Sequence, residues 1–377
     1  MTAHPNTTHP KMAPAEATHP KAAHTMSGRR PVLITGGAGF IGANLADALA
    51  AEGRDVLVYD ALVRPGVEGN LAWLTERHPQ RISAVTADVR DAGSLTAAAA
   101  EASAVIHLAA QVAVTTSLAD PVADFAVNLG GTLTLLEALR RRADPPPLVF
   151  ASTNKVYGDL ADLTFRRVGD AYAPEDPRTL AHGIGEERPL DFHTPYGCSK
   201  GGADQYVLDY ARSFGVPTCV LRMSCIYGPR QMGTEDQGWV AHFLIRALEH
   251  QRITVYGDGC QVRDVLDVGD AVAAYRAALA RIAQVKGRAY NLGGGPANAV
   301  SLRQVLAAIE AIVGHPLDVG FEEWRAGDQR YYVSDTRRVA ADLGLAAPLP
   351  WRQGLARLAE WLAGSRGLRL TSRAVPA

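Results

Sequence analysis

The sequence predicts an α/β fold, a doubly wound parallel sheet followed by a smaller α/β lobe, and three observations carry that prediction. From Pro31 onward short apolar runs alternate with longer amphipathic stretches, the pattern of βαβ units whose sheet is covered on both faces. A glycine-rich turn separates the first apolar run from the first amphipathic stretch. At 377 residues the chain exceeds a typical single domain, which leaves room for a second portion beyond the sheet.

Residues 1–28 come first. They are polar and rich in Ala, Thr and Pro, with His-Pro steps at His4-Pro5, His9-Pro10 and His19-Pro20. They offer no apolar face to pack and are expected to be disordered. Their four histidines lack Cys or carboxylate partners, so no resident metal is expected. Met26, just before the first strand, is a candidate start. Residues 32–35, 56–59, 82–86, 105–108 and 148–151 read as strands, with helices over 41–51 and 122–141 between them. Asp120-Pro121 supplies the second helix with an N-cap and a first-turn proline. The stretch 159–191 is rich in Pro, Gly and charge and too long for a simple connection, so it reads as an insertion over the site. Beyond Leu221 the alternation breaks down, with strands at 253–256 and near 289–292 and helices around 239–249, 268–281, 302–313 and 351–363. The expected organisation is a nucleotide-binding domain over 29–222 and a mainly substrate-binding lobe over 223–377.

Lys and Arg number 38 against 39 Asp and Glu, a formal net charge of −1. That balance suggests neither a nucleic-acid footprint nor a polybasic membrane patch. Cys198, Cys219, Cys225 and Cys260 show no CxxC pairing, in keeping with reduced thiols. No stretch approaches the ~20 apolar residues that span a bilayer, and the N-terminus has no apolar signal core. A soluble, cytoplasmic protein with no nucleic-acid or membrane partner is expected.

Gly36-Gly37-Ala38-Gly39-Phe40-Ile41-Gly42 forms a G-x-x-G-x-x-G turn. Gly36 permits the tight bend, Gly39 lets backbone approach a pyrophosphate, and Gly42 lets the helix pack close to the strand. Phe40 and Ile41 open the helix whose free N–H groups favour negative charge. Alone, the motif also fits an ordinary glycine-rich turn. Its context is more specific: a strand before, a helix after, and a second strand ending at Asp60, where an acid accepts from ribose hydroxyls. These features together predict a Rossmann-type dinucleotide site. Asp60 repels a 2′-phosphate and favours NAD over NADP, with Arg64 nearby pulling the other way. Asp88-Val89 after the third strand either clamp an adenine or form a plain turn.

Tyr196-Gly197-Cys198-Ser199-Lys200 follows Thr194-Pro195, read as a helix N-cap and first turn, so Tyr196 and Lys200 share one helix face at i and i+4. A neighbouring ammonium is expected to lower the phenol, whose reference value is about 10, making tyrosinate available as a base. The spacing alone is common on ordinary helix faces. Ser152-Thr153, at the carboxyl end of the fifth strand where such sheets bind ligands, adds a hydroxyl that either shares a substrate proton or caps a loop.

Taken with Leu108-Ala109-Ala110-Gln111, Tyr227-Gly228-Pro229-Arg230 and Arg263-Asp264, these motifs resemble the extended short-chain dehydrogenase/reductase family of nucleotide-sugar enzymes, from about Pro31 to the C-terminus. Within it, Ser152-Thr153-Asn154-Lys155-Val156-Tyr157-Gly158, residues 191–210 and Asp236-Gln237-Gly238-Trp239 are similar to the CDP-paratose (CDP-tyvelose) 2-epimerases. The resemblance implies NAD as cofactor, a nucleotide-sugar substrate, and a homodimer or higher homo-oligomer. It implies Thr153, Tyr196 and Lys200 as the catalytic triad, with Leu108, Ala109, Ala110 and Gln111 along the cofactor. Asn128 matches a position that orders the site, and Met223 one whose backbone faces the nicotinamide. Arg230, Arg263 and Arg325 fall where relatives contact the diphosphate, chemistry suited to forked donors. Ion pairs are the alternative, such as Arg263 with Asp264 or Asp267.

Relatives that eliminate water carry an Asp-Glu pair after the Thr, because elimination needs one group to take a proton and another to protonate the leaving hydroxyl. Asn154 and Lys155 stand at those places, which argues against dehydration. Lys155 also stands against the related decarboxylases, which carry Glu there. The resemblance leaves inversion of carbon 2 of a CDP-hexose through a transient ketone, with Asn154 and Lys155 facing the sugar and Lys155 orienting a hydroxyl or the phosphate near carbon 1. A UDP-hexose 4-epimerase is the nearest alternative, although Cys225 stands where those enzymes usually carry Asn. A non-catalytic NAD-sensing module is the second, since such folds are reused without chemistry.

Overall fold

The computed structural model describes residues 30–325, 327–368 and 370. The N-terminal stretch 1–28, with its histidines and Met26, lies outside the described residues. Seven strands form the central sheet: β1 (Val32–Thr35), β2 (Val56–Asp60), β3 (Ile82–Thr86), β4 (Ala104–His107), β5 (Leu148–Thr153), β6 (Thr218–Met223) and β7 (Arg288–Leu292). Their order is β7-β6-β5-β4-β1-β2-β3, and every pairing is parallel. Helices cover both faces, so strands such as Val-Leu-Ile-Thr are buried throughout rather than alternating.

Alternate side chains of each strand divide between two cores. Val32, Ile34, Val149 and Leu221 pack with Leu45, Leu74 and Tyr275 from helix α1 (Phe40–Ala51) and the helices Val67–Arg77 and Val268–Ala280. Leu33, Phe150 and Val220 pack on the other face with Leu135 of α2, which runs from Pro121 to Arg140, and with Ala203 and Val207 of α3 (Thr194–Ser213). By length and composition α2 could cross a bilayer, yet its Leu135, Leu136 and Leu139 are wholly buried against the sheet.

β6 is not legible as a strand in the sequence, because Arg222 interrupts its apolar run. It lies beside β5 with Thr153 opposite Met223. The chain after β1 fills one side of the sheet with β2 and β3, then crosses to β4 on the other. This reversal opens a crevice at the carboxyl ends of the strands, where Gly36, Asp60, Leu108, Thr153 and Met223 all emerge.

After β6 a third core gathers Trp239–Leu248, Leu302–Val313 and Trp351–Ser365 around Val240, Leu244, Ile309 and Leu358. Val262–Asp267 pairs there with Cys225–Tyr227, Ala299–Ser301 and Tyr331–Tyr332. The chain returns to the main sheet for β7. Within 159–191 an antiparallel hairpin, Phe165–Val168 with Ala171–Pro174, leans on this lobe through Phe165 against Tyr331 and a bond from Tyr172 OH to Asp258 at 2.7 Å.

Candidate active site

At the crevice, the glycine turn is shaped by close approach. Gly36 is left-handed at φ +70, and a Cβ there would lie 2.7 Å from Ala109 N in the loop after β4. A Cβ at Gly42 would lie 2.3 Å from Gly36 O. Gly39, the N-cap of α1, faces open space apart from Gly36 O at 3.1 Å. The outer glycines thus let β1, the β4 loop and α1 meet, while the middle one leaves the helix N–H groups uncovered. Asp60 ends β2 with its oxygens accepting from Ala38 N at 3.0 Å and Leu62 N at 2.9 Å. Each oxygen keeps lone-pair capacity for a ribose hydroxyl. This cradle and acid fit a dinucleotide. Asp88 is tied to Arg90 at 2.7 Å, and its carbonyl accepts from Tyr59 OH; Val89 is buried against Gly131.

On α3, Tyr196 and Lys200 are both buried. The helix is capped at His193, one residue earlier than expected, and Thr194 takes φ +64 with its hydroxyl accepting from Gly197 N at 3.3 Å. Lys200 Nζ donates to Ala151 O at 2.6 Å and sits 4.2 Å from the Phe150 ring centroid. Thr153, at the end of β5, accepts from Lys155 N at 3.2 Å, donates to Asn154 Oδ1 at 3.3 Å and lies beside the Tyr196 phenol.

Burial pushes Tyr196 up to about 12, opposed by the Thr153 hydroxyl and reinforced by Asp124. Burial pushes Lys200 down to about 7, opposed by Asp204 and Asp124. The expected lowering of the phenol by its neighbouring ammonium is therefore overturned. Desolvation disfavours the charged form of each group and sets the sign for both. His107, buried between Thr35 at 2.5 Å and Thr132 at 3.0 Å, is held down to about 3 by burial and by Lys200.

Two side-chain networks underlie this helix. A π-turn at Ala126–Gly130 bulges α2, a feature frequent at functional sites. Asn128 on that turn donates to Gln111 O at 3.0 Å, Asp124 at 3.0 Å and Ser199 at 3.1 Å, and accepts from Gln111 N at 2.9 Å. One turn beyond Lys200, Asp204 accepts both Arg222 Nε and Nη2 at 2.9 Å and the Ser152 hydroxyl at 2.7 Å. Arg222 also donates to Tyr157 OH at 2.9 Å. Sequence reasoning singled out Asn128 but missed Asp124, Ser199, Asp204 and Arg222. The one signal for Asp124 was its i, i+4 spacing to Asn128.

Lys155 donates to Gly327 O at 3.0 Å; burial and Arg263 push it down to about 8, with Asp328, Cys225 and Asp159 opposing. Asn154, Lys155, Arg263 and Cys225 are thus brought to one place beside Thr153. Arg263 pairs with Asp328 at 2.5 Å rather than with Asp264 or Asp267. Asp264 instead accepts from Ser224, Gly295 N and Ser334 N, and Asp267 faces Arg357 at 3.6 Å.

The other two arginines stand apart from this cluster. Arg325 lies 3.2 Å from Glu235 and stacks 3.8 Å from the Tyr256 centroid. Arg230 stacks 3.5 Å from the Trp73 centroid, beside the cofactor cradle, with its carbonyl 3.4 Å from Asn70. His193 stands between Asp191 at 3.1 Å and Asp159 at 3.6 Å, one ring nitrogen toward each.

Residues 32–293 match the NAD dependent epimerase/dehydratase family. The chain belongs to that family. NAD is its cofactor, which the cradle and Asp60 fit. Over 339 residues the chain is 39% identical to a CDP-paratose 2-epimerase from Salmonella typhi, covering 88% of this chain and 98% of that one. A putative UDP-glucose 4-epimerase from Methanocaldococcus jannaschii is 30% identical over 88% of this chain and 98% of its own length. Among solved structures, the Thermus thermophilus UDP-glucose 4-epimerase in complex with NAD superimposes with a TM-score of 0.76 at 32% identity, covering 89% of this chain and 99% of that one. Thr153 and Tyr196 stand together at the carboxyl end of β5 with Lys200 one turn further along α3, and Asn154 and Lys155 follow Thr153.

Proposed function

We propose that this enzyme inverts carbon 2 of a CDP-hexose of the paratose/tyvelose type. The observation that carries this reading is the pair Asn154-Lys155 beside Thr153. An amide and an ammonium stand there, so the two positions after Thr153 do not supply the two carboxyl groups that water elimination requires. The 39% identity with a CDP-paratose 2-epimerase supports the same choice of sugar.

In this reading the bound NAD takes a hydride from the sugar and returns it within one turnover. Tyr196, acting through its ionised form, which burial makes scarce, removes the hydroxyl proton, aided by Thr153, and later gives it back, so the protein ends in its starting protonation state. Lys200 holds the tyrosine side of the site, Asn128 and Gln111 order it, and Met223 lines it at the end of β6. Lys155, desolvated beside Arg263, orients a sugar hydroxyl or the phosphate near carbon 1. Arg263 takes the diphosphate by exchanging Asp328 for it. Arg230 and Arg325 join only if they leave Trp73 and Glu235. The ketone presents its opposite face before the hydride returns, which inverts the centre. A homodimer in the cytoplasm belongs to the same proposal.

A UDP-hexose 4-epimerase is the second reading, favoured by the 30% and 32% identities to such enzymes. Separate incubations with CDP-paratose and UDP-glucose, read by NMR of the sugar product, decide between them. Inversion at carbon 2 of CDP-paratose, lost in Tyr196→Phe, is expected. Conversion of UDP-glucose alone would refute the proposal, and turnover that survives Tyr196→Phe would refute the catalytic assignment.

A further inference from the structure

Asp124 is wholly buried. It lies on the first turn of α2, three residues after Pro121 and four before Asn128. Its carboxylate accepts from Gln111 Nε2 at 2.9 Å, from Asn128 Nδ2 at 3.0 Å and from the Ser199 hydroxyl. All three donors are neutral, and among the described residues no Lys, Arg or His forms an ion pair with it. Such a charge is expensive to bury without a cation, and a surface carboxylate would serve equally well to start this helix, which Asp120 already caps.

We infer that Asp124 is a positioning residue of the proton-transfer site, fixing Ser199, Asn128 and Gln111 around α3 and placing a negative charge beneath Tyr196 and Lys200. The inference rests on the reading that Tyr196 and Lys200 move the proton. Ser199 lies between them on α3 and its hydroxyl also sits 3.2 Å from Tyr196 O, so a single carboxylate joins the catalytic helix to the bulged helix and to the loop after β4.

The charge acts on both groups in the same direction. It favours the protonated phenol of Tyr196 and the protonated amine of Lys200. The other charged and titratable groups here are few. Asp204, on the next turn of α3 and paired with Arg222, favours the protonated amine of Lys200 more than Asp124 does, and His107 faces Lys200 from β4. Lys155 stands on the sugar side of Thr153, beside Arg263. The short helix Val114–Ala119, packed against α3, carries no titratable side chain. Asp124 is thus the carboxylate that acts on both Tyr196 and Lys200, whereas Asp204 acts on Lys200.

The test compares Asp124→Asn, which removes the charge at constant shape, with Ser199→Ala, which keeps the charge and removes one donor. Both are prepared as the NAD-loaded enzyme. Two quantities are followed against pH: kcat for CDP-paratose, and the Tyr196 signal in protein labelled with 13C at the tyrosine ring, assigned by Tyr196→Phe. With Asp124→Asn, both limbs of the kcat profile and the Tyr196 ionisation move to lower pH. With Ser199→Ala, kcat falls while both stay in place. Should Asp124→Asn not fold, Asp124→Ser carries the same expectation. A charge-removing variant whose Tyr196 signal and kcat limbs coincide with wild type overturns the inference while the triad stands. Undiminished turnover in Tyr196→Phe overturns the triad and the inference together.

Discussion

Replacing Gly42 with alanine puts the cofactor cradle under direct strain. A Cβ there would lie 2.3 Å from Gly36 O, 2.7 Å from Gly37 Cα and 2.9 Å from Gly37 C. All three are backbone atoms, so no rotamer change relieves the overlap. The turn must give by about 1 Å to approach the ~3.5 Å of ordinary contact. Overpacking of this kind costs about 1–3 kcal/mol, against which alanine's helical preference over glycine returns ~1 kcal/mol. Net stability therefore falls by no more than about 2 kcal/mol. The larger effect is on NAD, because the displaced N–H groups are those that meet the phosphates. Losing one hydrogen bond to a charged group costs about 1.5–3 kcal/mol, a ten- to hundredfold loss of affinity at ~1.4 kcal/mol per decade. The assay is the NAD content of purified protein after heat release, with calorimetric titration of stripped protein and thermal unfolding in parallel. Gly69→Ala is the control. Gly69 lies in the helix Val67–Arg77 with nothing within 4 Å of its Cβ position, so it keeps wild-type affinity and gains up to ~1 kcal/mol of stability. Wild-type NAD affinity in Gly42→Ala would refute the cradle.

The Arg222–Asp204 pair, with side chains 5% and 0% exposed, leaves a buried charge behind if either partner is removed alone. Arg222→Met and Asp204→Asn are each expected to lose about 3–5 kcal/mol in denaturant unfolding, and the double variant less than their sum; strict additivity would contradict the coupling. Lys200, lowered from 10.5 to about 7, ties stability to pH. Between those values the unfolded chain binds a proton that the folded protein lacks, so stability rises with pH across that window and the burial penalty is greatest at its lower end. Lys200→Met is therefore expected to raise the thermal midpoint most at neutral pH and below, with the gap closing on the alkaline side. A gap that stays constant with pH would show that Lys200 is already well solvated.

The parts of this protein that could be read from sequence are those whose geometry is local. The glycine turn, Asp60 at the end of β2 and the Tyr196/Lys200 spacing follow from helix and strand periods alone, and the structure places them at one crevice. β6 escaped because a charged residue inside an apolar run argues against a buried strand; Arg222 is admissible there only because Asp204 and Tyr157, 18 and 65 residues away, receive it. Arg263 found its acid 65 residues on rather than in its own strand, and Arg230 turned to Trp73. Asp124 looked like any acid in a first helical turn. What was misjudged most was the direction of the Tyr196 shift. Spacing shows that an ammonium is one turn away but not that both groups are dry, and once both are dry desolvation sets the direction of each shift. A Tyr-x-x-x-Lys face in such a pocket therefore keeps its ammonium only with the help of further fixed charges. One of them, Asp204, lies on α3 itself and is paired with Arg222, and the other, Asp124, comes from α2. Asn128, on the bulge of α2, and Asp124, one turn earlier, both bond Ser199 of α3, so the distorted segment of that helix is joined directly to α3.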